Sequence, residues 1–191
     1  MGKSRLEAFS DGVVAIIITI MVLELKVPHS DQLSELCAMA PVLLSYVLSF
    51  IYVGIYWNNH HHLFHVARQV SGAVMWANLH LLFWLSVIPF VTSWMGEHHD
   101  APWPVALYGF VLMMCGTAYY ILTQVLIAVH GRNSAIAKAL GRDLKGKLSV
   151  VIYLIALGLA FVQTWLSLAL YAGVALLWIV PDRRIERLIE E

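Results

Sequence analysis

The 191-residue chain is short of charge: only 13% of its residues are Asp, Glu, Lys or Arg. Soluble domains are about 25% charged and about 45–50% apolar. Here 60% of the residues are apolar, with a mean hydropathy of +0.75. That scarcity excludes a water-soluble globule, a disordered chain and a fibrous repeat. Neither sign of charge is in excess, with 12 basic against 12 acidic residues, so no surface for nucleic acid is implied. The two cysteines, Cys37 and Cys115, are too few for a disulfide framework. Both adjoin apolar stretches and read as buried free thiols. There is no fixed-period repeat and no low-complexity tract. GxGxxG, the P-loop, CxxC and the TVGYG carbonyl filter are all missing. No nucleotide-binding motif or ordinary potassium filter is therefore written in the chain. No cleavable signal peptide is expected either, because the first apolar run begins almost at Met1 and carries Glu7 and Asp11.

What the chain does have is long uncharged runs. They cover 12–23, 37–67, 69–96, 101–131 and 148–181. A membrane-spanning helix needs about 20 mainly apolar residues. The first four runs supply one span each, placed at 4–27, 41–65, 73–95 and 103–130. The last run would be about 50 Å long as one helix, too long for a core of about 30 Å. It divides at Gln163, Thr164 and Trp165 into two short helices, 148–163 and 165–181. The expected fold is all-α: one domain, 1–191, an integral membrane protein with six transmembrane helices and both termini cytoplasmic.

Connector charges support that orientation. The inside would hold Lys3, Arg5, Arg68, Arg132, Lys138, Arg142, Lys145, Lys147, Arg183, Arg184 and Arg187, and the outside only Lys26. This satisfies the positive-inside rule. A single span over the last run would put Arg183, Arg184 and Arg187 outside, so the same count favours a hairpin. The stretch 131–147 reads as a short basic helix lying near anionic lipid. Pro89 falls within the third span and is expected to kink it.

The first span opens with charges inside a membrane-bound helix: Arg5, Glu7 and Asp11. Such groups are costly in lipid and face a bundle interior, a partner or water. With Ile16 at zero, Phe9, Gly12, Thr19, Ile20 and Leu23 all fall within about 60° of it, while Ser10 and Asp11 fall about 120–140° away. The helix thus carries an aliphatic stripe with one hydroxyl, and polar anchors on its back. From periodicity alone a plain lipid-facing or packing surface is the favoured reading of the stripe, because nearly any face of this helix is apolar. Asp11 needs donors from other helices. Trp57 and His61 at the end of span two, and Asn78 and His80 in span three, are at the right level. A network of these with Ser10 and Asp11 would clamp the first helix.

The run His60-His61-His62-Leu63-Phe64-His65 has a second reading. The spacings i, i+4 and i, i+3 put imidazole pairs on one helix face, as metal ligands require. One cluster, without a carboxylate-rich partner site, fits interfacial hydrogen bonding better than metal catalysis. Histidines at such a depth also bear on pH sensitivity.

Arg5, Phe9, Ser10 and Asp11 form an RxxxFSD motif at the start of the first helix. With Trp57 and His61 closing span two, Asn78 in span three and the terminal WIVPDRR, the chain resembles a prokaryotic single-repeat member of the transmembrane-protein-175-type potassium channels. The resemblance implies a homotetramer in the plasma membrane of a prokaryote, in contact with lipid and permeant monovalent cations. It implies a pore lined by the first helix of each subunit, with no carbonyl filter. Ile16, Ile20 and Leu23 would form the hydrophobic constriction, with Thr19 as a hydroxyl layer. K⁺ would pass near these four residues as permeant ion, and no cofactor is expected. Arg5, Phe9, Ser10 and Asp11 with Trp57, His61, Asn78 and His80 would hold the pore helices. Rings of aliphatic side chains act by dewetting and dehydration, so a modest K⁺-over-Na⁺ preference follows. Glu24 and Asp31 near the outer mouth read equally as carboxylates that concentrate cations and as ordinary solvated loop residues. Competing readings are a secondary transporter and a membrane metalloenzyme built on the His60–His65 cluster.

Overall fold

The structure, a computed structural model, describes residues 2–28, 30–67, 69–131, 134, 137 and 144–179. Seven helices lie among the described residues and no strand: α1 (Lys3–Leu23), α2 (Leu33–Ala38), α3 (Ala40–Val66), α4 (Gly72–Glu97), α5 (Pro102–His130), α6 (Leu144–Leu159) and α7 (Thr164–Ile179). Four of them, α1, α3, α4 and α5, are long and apolar enough to cross a membrane. Prolines in the first turns of α3 and α5 suit positions whose N–H has no helical partner. The Ser71 hydroxyl accepts from the Val74 N–H at 3.3 Å and caps α4. Gly131, with φ 88°, ends α5 in a conformation that a side chain would disfavour.

Helix α4 is the centre of the bundle, packed on α1, α3 and α5. Its Leu81, Leu85, Ile88 and Val91 are buried, as are Leu112, Leu122 and Leu126 of α5. Polar side chains in this apolar interior all need partners. Thr92 donates to Ser49 at 2.7 Å, and Ser49 shares a hydrogen bond with Tyr108 at 3.0 Å. The Tyr153 hydroxyl donates to Tyr52, which donates to the Tyr171 carbonyl at 2.6 Å. Other hydroxyls bond back one turn: Ser45 to Pro41, Thr117 to Met113 and Ser149 to Lys145.

The last apolar run is broken, as its Gln163-Thr164 pair predicts. Helix α6 ends at Leu159 and α7 starts at Thr164. The two lie antiparallel, because Ser167 donates to the Ala156 carbonyl near the turn and Trp178 donates to Ser149 at the far end, at 2.7 and 2.8 Å. Each leg has 16 residues, about 24 Å, which is short against a hydrocarbon core of about 30 Å.

Several boundaries differ from the expected ones. The first span stops at Leu23, not 27, because residues beyond Glu24 leave the helix and Lys26 reaches across to Glu97. The sixteen-residue α6 begins four residues earlier than 148, taking in Lys145 and Lys147, whose methylene stems can lie along apolar surface. Residues 180 and 181 of the expected last span, and most of the basic stretch 131–147, lie outside the described residues. Helix α4 runs on through Pro89. Cys115 is buried, but Cys37 is exposed, because α2 is a short helix with no buried residue.

One end of the bundle gathers the N-terminus, the α3–α4 connection and the end of α5. Lys3 donates to the His65 carbonyl at 3.2 Å, and the Gln69 N–H donates to His130 Nε2 at 3.2 Å. The opposite end carries the Lys26–Glu97 pair.

Candidate functional site

Helix α1 has two unlike long faces. Leu6, Ser10, Val14, Ile17 and Met21 are buried, one every three or four residues, against α4 and α3. The stripe on the other side stays uncovered within the chain: Phe9 48%, Ile16 58%, Ile20 42% and Leu23 80% exposed, with Gly12 and Thr19 also exposed. Thr19 bonds back to the Ile16 carbonyl at 2.8 Å, so its lone pairs still face outward. Beside the stripe a cleft of about 670 Å³ opens between α1 and α4. Ile16, Ile17 and Ile20 line one wall, and Pro89, Phe90 and Trp94 the other. Glu24 and Glu97 also border it.

The buried face is held by a polar chain. Asn78, fully buried, donates from Nδ2 to the Ser10 hydroxyl at 2.9 Å. Ser10 in turn donates to the Leu6 carbonyl at 2.9 Å. With its amide nitrogen so engaged, Asn78 presents Oδ1 to His60 Nε2 at 2.8 Å. An amide oxygen only accepts, so His60 carries its proton on Nε2. The His60 ring also lies 4.5 Å from that of Phe64. A second link sits beside the first: the Trp57 indole N–H donates to Asp11 Oδ1 at 3.0 Å. The space left beside these groups is about 10 Å³, at the lower limit for a single water. Direct bonds join the three helices here.

The expected clamp residues separate into three groups. Ser10 and Asn78 meet directly, and so do Asp11 and Trp57. His61 is exposed and stacks on Trp57 with ring centroids 6.2 Å apart, but no hydrogen bond joins it to α1 among the described residues. His80 is not brought in: it accepts from Trp84 of its own helix at 3.0 Å. The reason is angular, since two residues along a helix turn by about 200°, so Asn78 and His80 cannot both face α1. Arg5 and Phe9 are exposed. The residue that was missed is His60. Its signal was the i, i+3 spacing from Trp57, which puts both side chains toward the same neighbour.

At the other end of α1, Glu97 hydrogen-bonds Lys26 and, by that bond and its charge, holds the ammonium protonated above its ordinary range. No group of three or more His, Cys, Asp or Glu able to hold a metal occurs among the described residues.

Residues 5–89 match the model of the family described as endosomal/lysosomal potassium channel TMEM175. A potassium channel of Chryseobacterium sp. (strain P1-3) is 50% identical over 191 residues, which is 100% of both chains. A potassium channel of Streptomyces collinus (strain DSM 40733 / Tue 365) is 34% identical over 189 residues, 91% of this chain and 90% of that one. Among solved structures, the crystal structure of a lysosomal potassium-selective channel TMEM175 homolog from Chamaesiphon minutus superposes with a TM-score of 0.81 at 28% identity. It covers 94% of this chain and 97% of that one.

Proposed function

Because the chain belongs to the TMEM175 channel family, and is thus a multi-pass membrane ion channel and not an enzyme, we propose that it conducts K⁺ through a homotetrameric pore lined by α1. The observation that carries this reading is the division of α1 into a sealed, hydrogen-bonded face and an uncovered aliphatic stripe. One helix cannot enclose a water path, and a ring of symmetric copies can. In that ring Ile16, Ile20 and Leu23 make the narrow apolar passage and Thr19 offers hydroxyl oxygens. The cleft between α1 and α4 gives room for side chains of the adjacent subunit. A ring of isoleucines provides no ligands, so ions are ranked by what dehydration costs them. K⁺ sheds water more readily than Na⁺, and the preference is modest. Permeant K⁺ passes near these four residues, and no cofactor takes part.

The membrane arrangement we propose has six spans with both termini in the cytoplasm, in the plasma membrane of a prokaryote. It is supported by the basic residues: Lys3 sits at the end of the bundle that holds His65 and His130. Lys145 and Lys147 open α6, and α7 returns to that same end at Trp178. The hairpin α6–α7 supplies the last two spans.

The test is K⁺ and Na⁺ flux in liposomes carrying the purified protein, with its assembly state measured by light scattering. Fast K⁺ flux through a tetramer is expected, with K⁺ favoured several-fold. Ile16→Asn and Thr19→Ala should each lower that preference. Unchanged reversal potentials in both variants remove these residues from selectivity, and slow saturable exchange points to a carrier instead.

A further inference from the structure

The polar residues of this bundle set the height of its apolar belt. Helix α6 carries Leu148, Val151, Leu154 and Ile155, each about half exposed. That surface stops at exposed Lys147 on one side and at exposed Gln163, in the turn, on the other. Between them lie at most about 22 Å of chain, at about 1.5 Å per residue. Helix α7 repeats the height. From Trp165 to Ile179 is about 22 Å, and Asp182, Arg183 and Arg184 follow in the sequence. Across the bundle, Asp11 and Glu24 leave about 18 Å of uncharged α1 between them, and His80 and Glu97 about 24 Å of α4. Each height falls short of a hydrocarbon core of about 30 Å.

Contacts bring these belts into register. The Phe161 ring, in the α6–α7 turn, meets Trp103 of the first turn of α5 edge-on, with centroids 5.1 Å apart. The turn therefore stands at the end of the bundle that holds Glu97 and Lys26. At the other limit, Asp11 accepts from Trp57 at 3.0 Å, and Tyr119 donates to the carbonyl of nearby Asn59 at 3.3 Å. Lys147 borders the same cavity as Asn59 and Tyr119. Past this level α5 continues from Tyr120 through exposed Gln124 to His130, about 15 Å further. Helix α3 likewise continues through exposed His61 and His65. Tilting hides a helix that is too long, and it makes a short one shorter still. A lysine stem can reach outward, but the Asp11 carboxylate is held at Trp57 and Gln163 is a short amide. We propose that the α6–α7 face binds a thinned hydrocarbon layer of about 22–24 Å, and that the inner ends of α1, α3, α4 and α5 stand among headgroups and in water. Its partner is lipid with short acyl chains, or longer chains compressed against the protein. The proposal rests on the reading of α6–α7 as a crossing hairpin, not on conduction or on the number of subunits.

The purified full chain in vesicles tests it. Brominated dioleoyl phosphatidylcholine quenches tryptophan fluorescence on contact. Its competition with unbrominated dimyristoleoyl, dioleoyl and dierucoyl phosphatidylcholine gives the relative affinity of each lipid for the protein surface. Affinity should be highest for the dimyristoleoyl lipid, whose chains are the shortest, and several-fold lower for the dierucoyl lipid. Lys147→Leu with Gln163→Leu lengthens the uncharged stretch of α6 by about 4 Å and should move the maximum toward the dioleoyl lipid. A flat profile in the parent, or a maximum at the dioleoyl or dierucoyl lipid, overturns the proposal even if the double variant fails to fold. An unmoved maximum in a folded double variant also overturns it. The hairpin is tested separately. With exposed Cys37 changed to Ala, Gln163→Cys should react with a membrane-impermeant maleimide added outside intact cells. A labelled turn with the wrong lipid profile rejects the thin belt and leaves the crossing hairpin standing. An unlabelled turn rejects the hairpin, and this proposal with it.

Discussion

Replacing Asn78 with Leu tests the joint that orients α1. The amide makes two interhelical hydrogen bonds, to Ser10 at 2.9 Å and to His60 at 2.8 Å. Such bonds inside membrane proteins average about 0.6 kcal/mol and reach at most about 1.7, which sums to about 1.2–3.4 kcal/mol. The two ends of the chain do not suffer equally. Ser10 keeps its bond to the Leu6 carbonyl. His60, only 6% exposed, is left with a buried Nε2–H and no acceptor, which costs about 1–3 kcal/mol. Leu repeats the forked shape of Asn but is bulkier, so at this fully buried site no void opens and any overpacking adds to the cost. The expected destabilisation is about 2–3 kcal/mol, read from chemical unfolding in mixed micelles. Ser10→Ala should cost less, because it leaves His60 paired. The decisive measurement is the double variant with His60→Leu. With the stranded imidazole gone, the two changes together should cost about 1 kcal/mol or more less than their sum, beyond the error of additivity for independent sites. Strictly additive costs, or an Asn78→Leu protein as stable as its parent, would refute the reasoning.

Other consequences follow from the same contacts. Asp11→Ala should reduce both tetramer yield and K⁺ flux, since it frees the Trp57 indole and loosens α1; an assembled, fully active variant contradicts the clamp. Gly109→Ala should destabilise by about 1–3 kcal/mol, the usual penalty for overpacking, because the added methyl overlaps the buried Tyr171 ring and drives its hydroxyl off the Val105 carbonyl; a melting temperature equal to the parent's counts against that packing. The Lys26–Glu97 bond raises the Lys26 pKa above 10.5. Its contribution is therefore complete from that value down to the acid range where the Glu97 carboxylate takes up a proton, and disappears as pH climbs through the raised one. Melting curves of parent and Lys26→Gln should converge at high pH, and a constant gap between them excludes the pair as a tie.

The helices were legible because lipid imposes a length and an apolar composition that the sequence writes without ambiguity: the uncharged runs 37–67, 69–96 and 101–131 became α3, α4 and α5 almost residue for residue. Run ends were harder. By charge Lys145 and Lys147 read as part of a separate short basic helix near the lipid surface, yet they sit in the first turn of α6, since a long cationic side chain leaves the membrane without taking its backbone along. Within the site, periodicity separated Ser10 and Asp11 from the stripe of Ile16 and Leu23, and burial of Ser10 with exposure of Ile16 follows that division. It could not choose among neighbours on another helix. His60 and His61 differ by only about 100° in direction, and the rotation of α3 about its own axis is set by packing along its whole length. That is why the partner of Asn78 became visible only in three dimensions.

The placement of the polar contacts answers a difficulty that the proposed apolar pore would face. A hydrophobic constriction needs its narrowest rings to be apolar, yet a featureless aliphatic helix in lipid has nothing to fix its rotation, because lipid tails are as apolar as leucine. Orientation must come from hydrogen bonds, and these must lie off the stripe. In α1 they do, at two levels. Ser10 and Asp11 hold one half through Asn78 and Trp57, and Lys26 ties the far end to Glu97. Between them Val14, Ile17 and Met21 contribute packing without direction. Rotating the helix by one residue, about 100°, would break both polar contacts near Ser10 and Asp11 at once and turn Ile16 toward a neighbour. In the proposed pore, the narrowness of the aliphatic ring would therefore be controlled by groups that never touch the ion.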